Sequence, residues 1–364
     1  MTVLRALAAL PLLAALALSA PTPAPAAPAP PSPAAAPAAA GRTVSAWLPY
    51  WQQESAYRDA LAHADQLHTV SPFWYEATSD RRFTAHPGAG DRRVIDGLRR
   101  AGVEVVPTVT EAPDAAAMAA MLTDPARRAA HVAALLRLAA SRPYDGLDLD
   151  YERMNHSADA GVLRRVRGGF TALVREVCAR LHARGQRCTV AVYPRTRPRD
   201  TAPVYDYARL GRAVDGLRIM GYNLHNALGP PGPLSSPRWY DAILRYATAH
   251  VPAAKIEMGV PAYGWDYRTG DRARATHRTT REAQALRHRV GAALERDADS
   301  RTPHFRYVED GRRREVWYQD ARGIAAHLPV LHRHGVTRTA LWALDFEEPA
   351  LWRTLARGGP ARKP

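Results

Sequence analysis

Eight short runs of apolar, β-branched and aromatic residues punctuate the chain. They are TVSAWLPYW (43–51), HTVSPFWYEA (68–77), VEVVPTVTE (103–111), GLDLDYE (146–152), CTVAVYP (188–194), GLRIMGYN (216–223), KIEMGVPAYGW (255–265) and RTALWALDF (338–346). Runs of this kind predict strands buried on both faces, as in a parallel sheet covered by helices. Between them the period lengthens to that of a helix. Asp124 followed by Pro125 reads as an N-cap and first helical residue, and Ser236–Pro237 as a second such start. From Gly161 to Arg184, Val162, Val166, Phe170, Val174, Val177 and Leu181 form one apolar stripe, and Gly185 stops it.

Strand–helix alternation over eight strands predicts an α/β fold, the (β/α)8 TIM barrel. The alternative is an open doubly wound sheet, but no G-x-G-x-x-G follows the first run. The long interval from Trp265 to Arg338 does not fit a plain barrel. It carries a helical segment (about Thr280 to Asp297) and FRYVEDGRRREVWYQD (305–320), two β-rich runs around Asp310-Gly311 that read as a hairpin. This predicts a small α+β insertion, about 268–320, between strands seven and eight, overhanging the C-terminal mouth where barrel active sites lie.

Composition changes the picture at the ends. Residues 1–26 combine Arg5, an apolar run and small residues, with Ala24 and Ala26 flanking Pro25, and read as a signal peptide cleaved after Ala26; an uncut N-terminal anchor is the alternative. Residues 27–41 are nearly all Ala and Pro and read as a disordered linker. Residues 42–358 are assigned to the barrel. The formal net charge is +15, almost all of it Arg, since Lys255 and Lys363 are the only lysines. These charges are spread along the chain rather than clustered, unlike a nucleic-acid footprint; attraction to an anionic wall polymer stays open. Cys178 and Cys188 are the two cysteines. In an exported chain an even count suggests a bridge, and a predicted helix end and strand start could bring them together; two buried free thiols are the alternative.

The candidate chemistry lies in YDGLDLDYERM (144–154). Strand alternation puts Asp148, Asp150 and Glu152 on one face and Leu147, Leu149 and Tyr151 on the other. Positions two apart are separated by about 6.5–7 Å, so three ionised carboxylates there repel and one holds a proton near neutral pH. A protonated carboxylic acid at that pH is what a general acid requires. Glu152, at the C-terminal strand end, is nearest a substrate in the mouth. Other readings of the trio are an exposed polar face or an Mg²⁺ or Ca²⁺ site. Tyr50, Trp51, Trp74, Tyr193, Tyr263 and Trp265 fall at or past strand ends and suggest a sugar-stacking groove, with Met220 packing its floor and His225 on the rim.

The pattern D-x-x-D-x-D-x-E, from Asp145 through Asp148 and Asp150 to Glu152, resembles glycoside hydrolase family 18, the chitinases and related N-acetylglucosaminidases. IMGYNLH (219–225) resembles the family's M-x-Y-D/N motif, and Trp342 stands where the family places a Trp under the sugar. The resemblance spans Val44 to Trp352. SPFWYEA and LWALDFEEPALW look most like the bacterial spore-germination and cortex-lytic branch. It implies a retaining, substrate-assisted route. Glu152 acts as acid and then base. Asp150 orients the substrate's acetamido N–H. Asp148 tunes Asp150 by sharing a proton, and Tyr222 donates to the acetamido carbonyl oxygen. Asn223 bonds the sugar or the catalytic network, Trp342 floors the site, and Asp145, Met220 and Asn223 belong to the motifs. It further implies action on an N-acetylglucosamine polysaccharide (chitin or peptidoglycan) with no cofactor or metal; with the signal-like N-terminus, the scattered Arg and no second spanning stretch, the expectation is an exported monomer, secreted or wall-associated, with no nucleic-acid partner and no lasting membrane insertion. Two departures stand out: the third run lacks the small Ser-Gly-Gly type of ending, and position 223 is Asn where many members have Asp. The competing functions are a non-hydrolytic lectin on the same barrel and a metal-dependent barrel enzyme.

Overall fold

Eight parallel strands close on themselves in the computed structural model, which describes residues 42–197, 203–270 and 273–356. In chain order they are Thr43–Leu48, Leu67–Ala77, the broken third strand Glu104–Val105 and Thr108–Glu111, Gly146–Asp150, Arg187–Val192, Gly216–Ile219, Ile256–Pro261 and Arg338–Trp342. Closure comes from the first strand pairing both the second and the last. The expected signal peptide (1–26), linker (27–41) and residues 357 and 358 lie outside the described residues.

Helices cover the outside, and their starts follow the caps read from sequence. Asp124 Oδ1 accepts the Ala126 and Arg127 N–H groups ahead of helix Pro125–Ala140, and Ser236 accepts the Trp239 N–H ahead of Pro237–Thr248. Helix Ala160–His182 buries Val162, Val166, Phe170, Val174, Val177 and Leu181, the predicted stripe. Cys178 on that helix is disulfide-bonded to Cys188 on the fifth strand. At the start of the fourth strand a side chain on Gly146 would come within 2.2 Å of the Arg187 carbonyl oxygen, so only glycine lets these two strands approach. Among the described residues no helix is long and apolar enough to cross a membrane.

The interval before the last strand folds as a second sheet of five strands: Tyr263–Arg268, Thr276–Thr279, Glu295–Arg296, Pro303–Glu309 and Arg312–Tyr318. Helix Thr280–Arg289, held by a Thr279/Glu282 capping box, packs Ala283 and Leu286 onto Phe305, Tyr307, Val316 and Tyr318. Asp310 and Gly311, both at positive φ, turn the expected hairpin. The insertion starts earlier than its composition suggests. The run KIEMGVPAYGW is two strands, Ile256–Pro261 in the barrel and Tyr263–Arg268 in the second sheet, so Tyr263 and Trp265 belong to the insertion.

Candidate active site

The fourth strand turns its acids inward, as alternation requires. Leu147, Leu149 and Tyr151 are buried on the helix side, where Tyr151 packs on Phe170 and its hydroxyl meets His131 Nε2 at 2.7 Å. On the inside, Asp148 is fully enclosed. Trp47 Nε1–H (3.0 Å) and the Thr108 hydroxyl (2.9 Å) donate to its Oδ2, and the Thr189 hydroxyl (2.6 Å) donates to its Oδ1. Arg218 Nη1 lies 3.2 Å from the same Oδ2. Both oxygens are therefore engaged elsewhere, and no hydrogen bond joins Asp148 to Asp150 among the described residues. These donors anchor Asp148 beneath the site.

Asp150 has the opposite surroundings. It is 4% exposed, and its Oδ1 is buried with no hydrogen-bond partner. Burial pushes its carboxyl well above the ordinary Asp range, and the charges of Glu152, Asp148 and Glu111 push it further, against a weaker pull from Arg218. Glu152 lies past the end of the strand, where the chain enters the short turn Arg153–Asn155, and faces an open cleft. Burial also raises Glu152, partly offset by the Tyr193 hydroxyl beside it.

That cleft has a volume of about 1240 Å³ at the barrel mouth. It exceeds the roughly 300–1,000 Å³ of small-ligand pockets and has room for several sugar rings. Asp150, Glu152, Tyr193, Met220, Tyr222, Asn223, Tyr263 and Trp342 line it together. Asn223, in the left-handed region at φ 64°, accepts from the Tyr263 hydroxyl (2.7 Å) and from Trp265 Nε1–H (3.1 Å), tying the insertion to the sixth strand. Trp342 packs edge-on against Trp47 and Phe73, with ring centroids 5.7 and 5.3 Å away. The Tyr222 hydroxyl has no protein hydrogen-bond partner among the described residues.

Two rings expected to stack on sugar do not line this cleft. Trp74 is fully buried on the helix side, donating to Gln53 Oε1 at 2.7 Å, because alternation along the second strand puts Ser71 and Phe73 inside and Trp74 outside. Tyr50 turns away after the first strand ends at Leu48 and stacks on His86 at 4.2 Å, in a neighbouring groove. Trp51 takes its place on the cleft wall, 51% exposed. Asp145, part of the motif, stands outside the cleft, accepting the Val105 N–H at 2.9 Å and registering the third strand on the fourth.

One acid at the site was missed. Glu111, last residue of the third strand, is buried, and its Oε2 and Oε1 accept the N–H groups of Glu152 (3.0 Å) and Met154 (2.8 Å). Burial, and the charge of Glu152, push its carboxyl up to about 8. The signal was available: an acid at the C-terminal end of a barrel strand, in the run already marked by its unusual ending.

The model of the family "Glycosyl hydrolases family 18" matches residues 47–347. The glycosylase YdhD of Bacillus subtilis, named as sporulation-specific, is 31% identical over 62% of this chain and 53% of its own. The cortical fragment-lytic enzyme of the same organism is 29% identical over 52% of this chain and 46% of its own. The chain thus spans about half the length of these curated relatives. A solved chitinase structure from Chromobacterium violaceum superposes with a TM-score of 0.77 at 27% identity, over 87% of this chain and 99% of that one. Fold and sequence agree, and the chain belongs to glycosyl hydrolase family 18.

Proposed function

We propose that this chain is a glycosidase that hydrolyses β-1,4-linked N-acetylglucosamine polymers, chitin or peptidoglycan strands, with retention and with the substrate's own acetamido group as nucleophile. The observation that carries the reading is Asp150 Oδ1, a buried carboxylate oxygen without a partner at the floor of a sugar-sized cleft, next to the acid Glu152. An unsatisfied buried acceptor calls for a donor, and an acetamido N–H is one.

In the first step the C1–O glycosidic bond breaks and the leaving oxygen takes the Glu152 proton, while the acetamido carbonyl oxygen bonds to C1. Asp150 accepts the acetamido N–H and balances the positive charge of the resulting oxazolinium ion. The Tyr222 hydroxyl donates to the acetamido oxygen and Trp342 supports the apolar face of the ring. In the second step Glu152, now a carboxylate, takes a proton from water, the water oxygen bonds to C1, and the acetamido C–O bond breaks. A cation site built on the acid trio is disfavoured by its donors: Asp148 is saturated by Trp47, Thr108, Thr189 and the Arg218 guanidinium. A purely binding role is disfavoured by Glu152 itself, raised and open to the cleft.

Export and action outside the cell rest on the signal-like residues 1–26 and on the relative named for lysis of cortical fragments. Parallel digestion of chitin oligomers and purified peptidoglycan, read by product masses, tests the proposal. Reducing sugar released from either by wild type, and lost in Glu152→Gln, supports it; binding of both with cleavage of neither overturns it.

A further inference from the structure

The geometry points to Glu111 as a positioning residue for the catalytic acid, holding the turn that carries Glu152 through two hydrogen bonds. This inference rests on the proposed role of Glu152. The fourth strand's ladder reaches only Asp150, which pairs Thr110. Glu152 therefore stands beyond regular structure, on a turn whose own hydrogen bond runs from the Asn155 N–H to the Glu152 carbonyl (3.0 Å). Two outside contacts fix that turn. The Tyr205 hydroxyl donates to the Tyr151 carbonyl at 2.7 Å, and Glu111 accepts the N–H groups on both sides of Arg153. Glu111 is itself fixed at the end of the third strand, which pairs the second through Ala77. The carboxyl is thus a rigid strut from one barrel strand to the acid on the next.

A carboxylate suits this post because it offers two acceptor oxygens to two converging backbone donors, and no other side chain of its length does. Glutamine has a single acceptor oxygen and would set an amide N–H₂ against one of the backbone N–H groups, leaving it unpaired in a buried place. Burying an acid with no cation among its partners is costly, as its upward shift to about 8 records. Asp150, Glu152, Tyr151, Tyr193 and Tyr205 all lie within reach of its charge, and all are acidic groups. Such a cost is retained where geometry at a reacting centre repays it.

The test separates positioning of the acid from general damage. Two β-N-acetylglucosaminides are compared on the full chain: an oligosaccharide, whose alkoxide leaving group needs a proton, and a 2,4-dinitrophenyl glycoside, whose phenolate does not. For Glu111→Gln, kcat/KM on the oligosaccharide falls about tenfold to a hundredfold, the scale of a misplaced catalytic group. On the dinitrophenyl substrate it changes by less than about threefold, because acid assistance is not used there. KM for the oligosaccharide and its Kd on Glu111→Gln stay near wild type. Glu111→Asp, which keeps both oxygens on a shorter arm, falls between and covers the case in which Glu111→Gln does not fold. Equal losses on both substrates, or none on either, overturn the inference. Glu152→Gln measured alongside keeps the two ideas apart. If wild type cleaves neither substrate, the functional reading falls and this inference with it. If Glu152→Gln shows the leaving-group pattern and the Glu111 variants do not, only this inference falls.

Discussion

Inside the barrel, Asp148 and Glu257 sit among donors. Arg218, buried between them, reaches Glu257 at 2.9 Å, Asp148 at 3.2 Å and the Ser71 hydroxyl at 2.6 Å, while Ser45 and Arg338 complete the ring around Glu257. The outcome for Glu257 is a carboxyl held down at about 2 despite complete burial, mainly by Arg218 and Arg338. One strand step nearer the mouth, Asp150 and Glu111 are just as enclosed and Glu152 is half-buried; none has a cation among its hydrogen-bond partners in the described residues, and all are raised. The residue type is the same and the burial similar. What differs is whether the neighbours are guanidinium and hydroxyl donors or other acids and tyrosines. The lower layer ties the strands together through these ion pairs, and in the upper layer Asp150 Oδ1 is left without a donor among the described residues. The two layers are coupled, since Asp148 below is one of the groups whose repulsion raises Asp150 above.

Breaking the upper layer gives the largest effect on rate. Glu152→Gln is expected to lower kcat on a β-1,4-linked oligosaccharide by about 10²–10⁴-fold, the worth of general acid–base catalysis, while leaving the unfolding midpoint at or above that of wild type. A loss of activity accompanied by unfolding would show instead that Glu152 belongs with the structural acids. Breaking the lower layer reverses the pattern. Arg218→Met leaves Asp148 buried without its cation and Glu257 with Arg338 alone, and removing one partner of a buried ion pair costs about 3–5 kcal/mol. Urea unfolding would read this as a lower midpoint with an unchanged slope; a midpoint like wild type would refute the division into layers.

The eight strands, the caps at Asp124 and Ser236, the disulfide and the inward face of Asp148, Asp150 and Glu152 were all legible because each rests on local chemistry: a period, a cap, a spacing. What escaped was set by neighbours distant in sequence. Nothing near Asp148 announces Arg218, seventy residues on, so its saturation by donors was invisible. Glu111 was read as the tail of a strand because its partners are backbone N–H groups just past the next strand, about forty residues on, which have no sequence signature. Trp74 and Tyr50 were misjudged together, since one bulge or one short turn decides which face an aromatic at a strand end presents. The split of KIEMGVPAYGW had no cue beyond Pro261.

The comparison extends to pH through Glu347, a third kind of buried acid. It accepts from Trp352 Nε1–H at 2.9 Å, yet it is pushed up to about 8 by burial and by the charge of Asp59, with Arg281 no nearer than 3.8 Å. Its folded-state value lies above the ordinary Glu value near 4.3, so the folded chain binds more protons between the two. The stabilisation is full below pH about 4.3 and is lost as pH rises towards 8. Glu347→Gln keeps an acceptor for Trp352 and should remove roughly 2–4 kcal/mol of that loss at pH 8, read by urea unfolding at pH 5 and pH 8. Identical slopes in the two proteins would mean that Arg281 already neutralises it and that this acid belongs with Glu257.

The smallest effect lies at position 223. Asn223 faces the same cleft as Asp150 and Glu152, and its oxygen accepts from two neutral donors, Tyr263 and Trp265. Asn223→Asp keeps both hydrogen bonds and the left-handed backbone, which Asp tolerates as Asn does. It adds one negative charge to a layer that already lacks cations. A like charge disfavours ionisation of Glu152, so the acid keeps its proton to higher pH. The alkaline limb of kcat/KM, already above the ordinary Glu range in wild type because Glu152 is raised, should move up by less than about one unit. Because the cleft is open to solvent, the displacement should shrink in about 1 M salt, where the Debye length is near 3 Å. A limb that moves down would mean that the new carboxylate donates its own proton into the network, and a displacement indifferent to salt would place it in the dry lower layer instead.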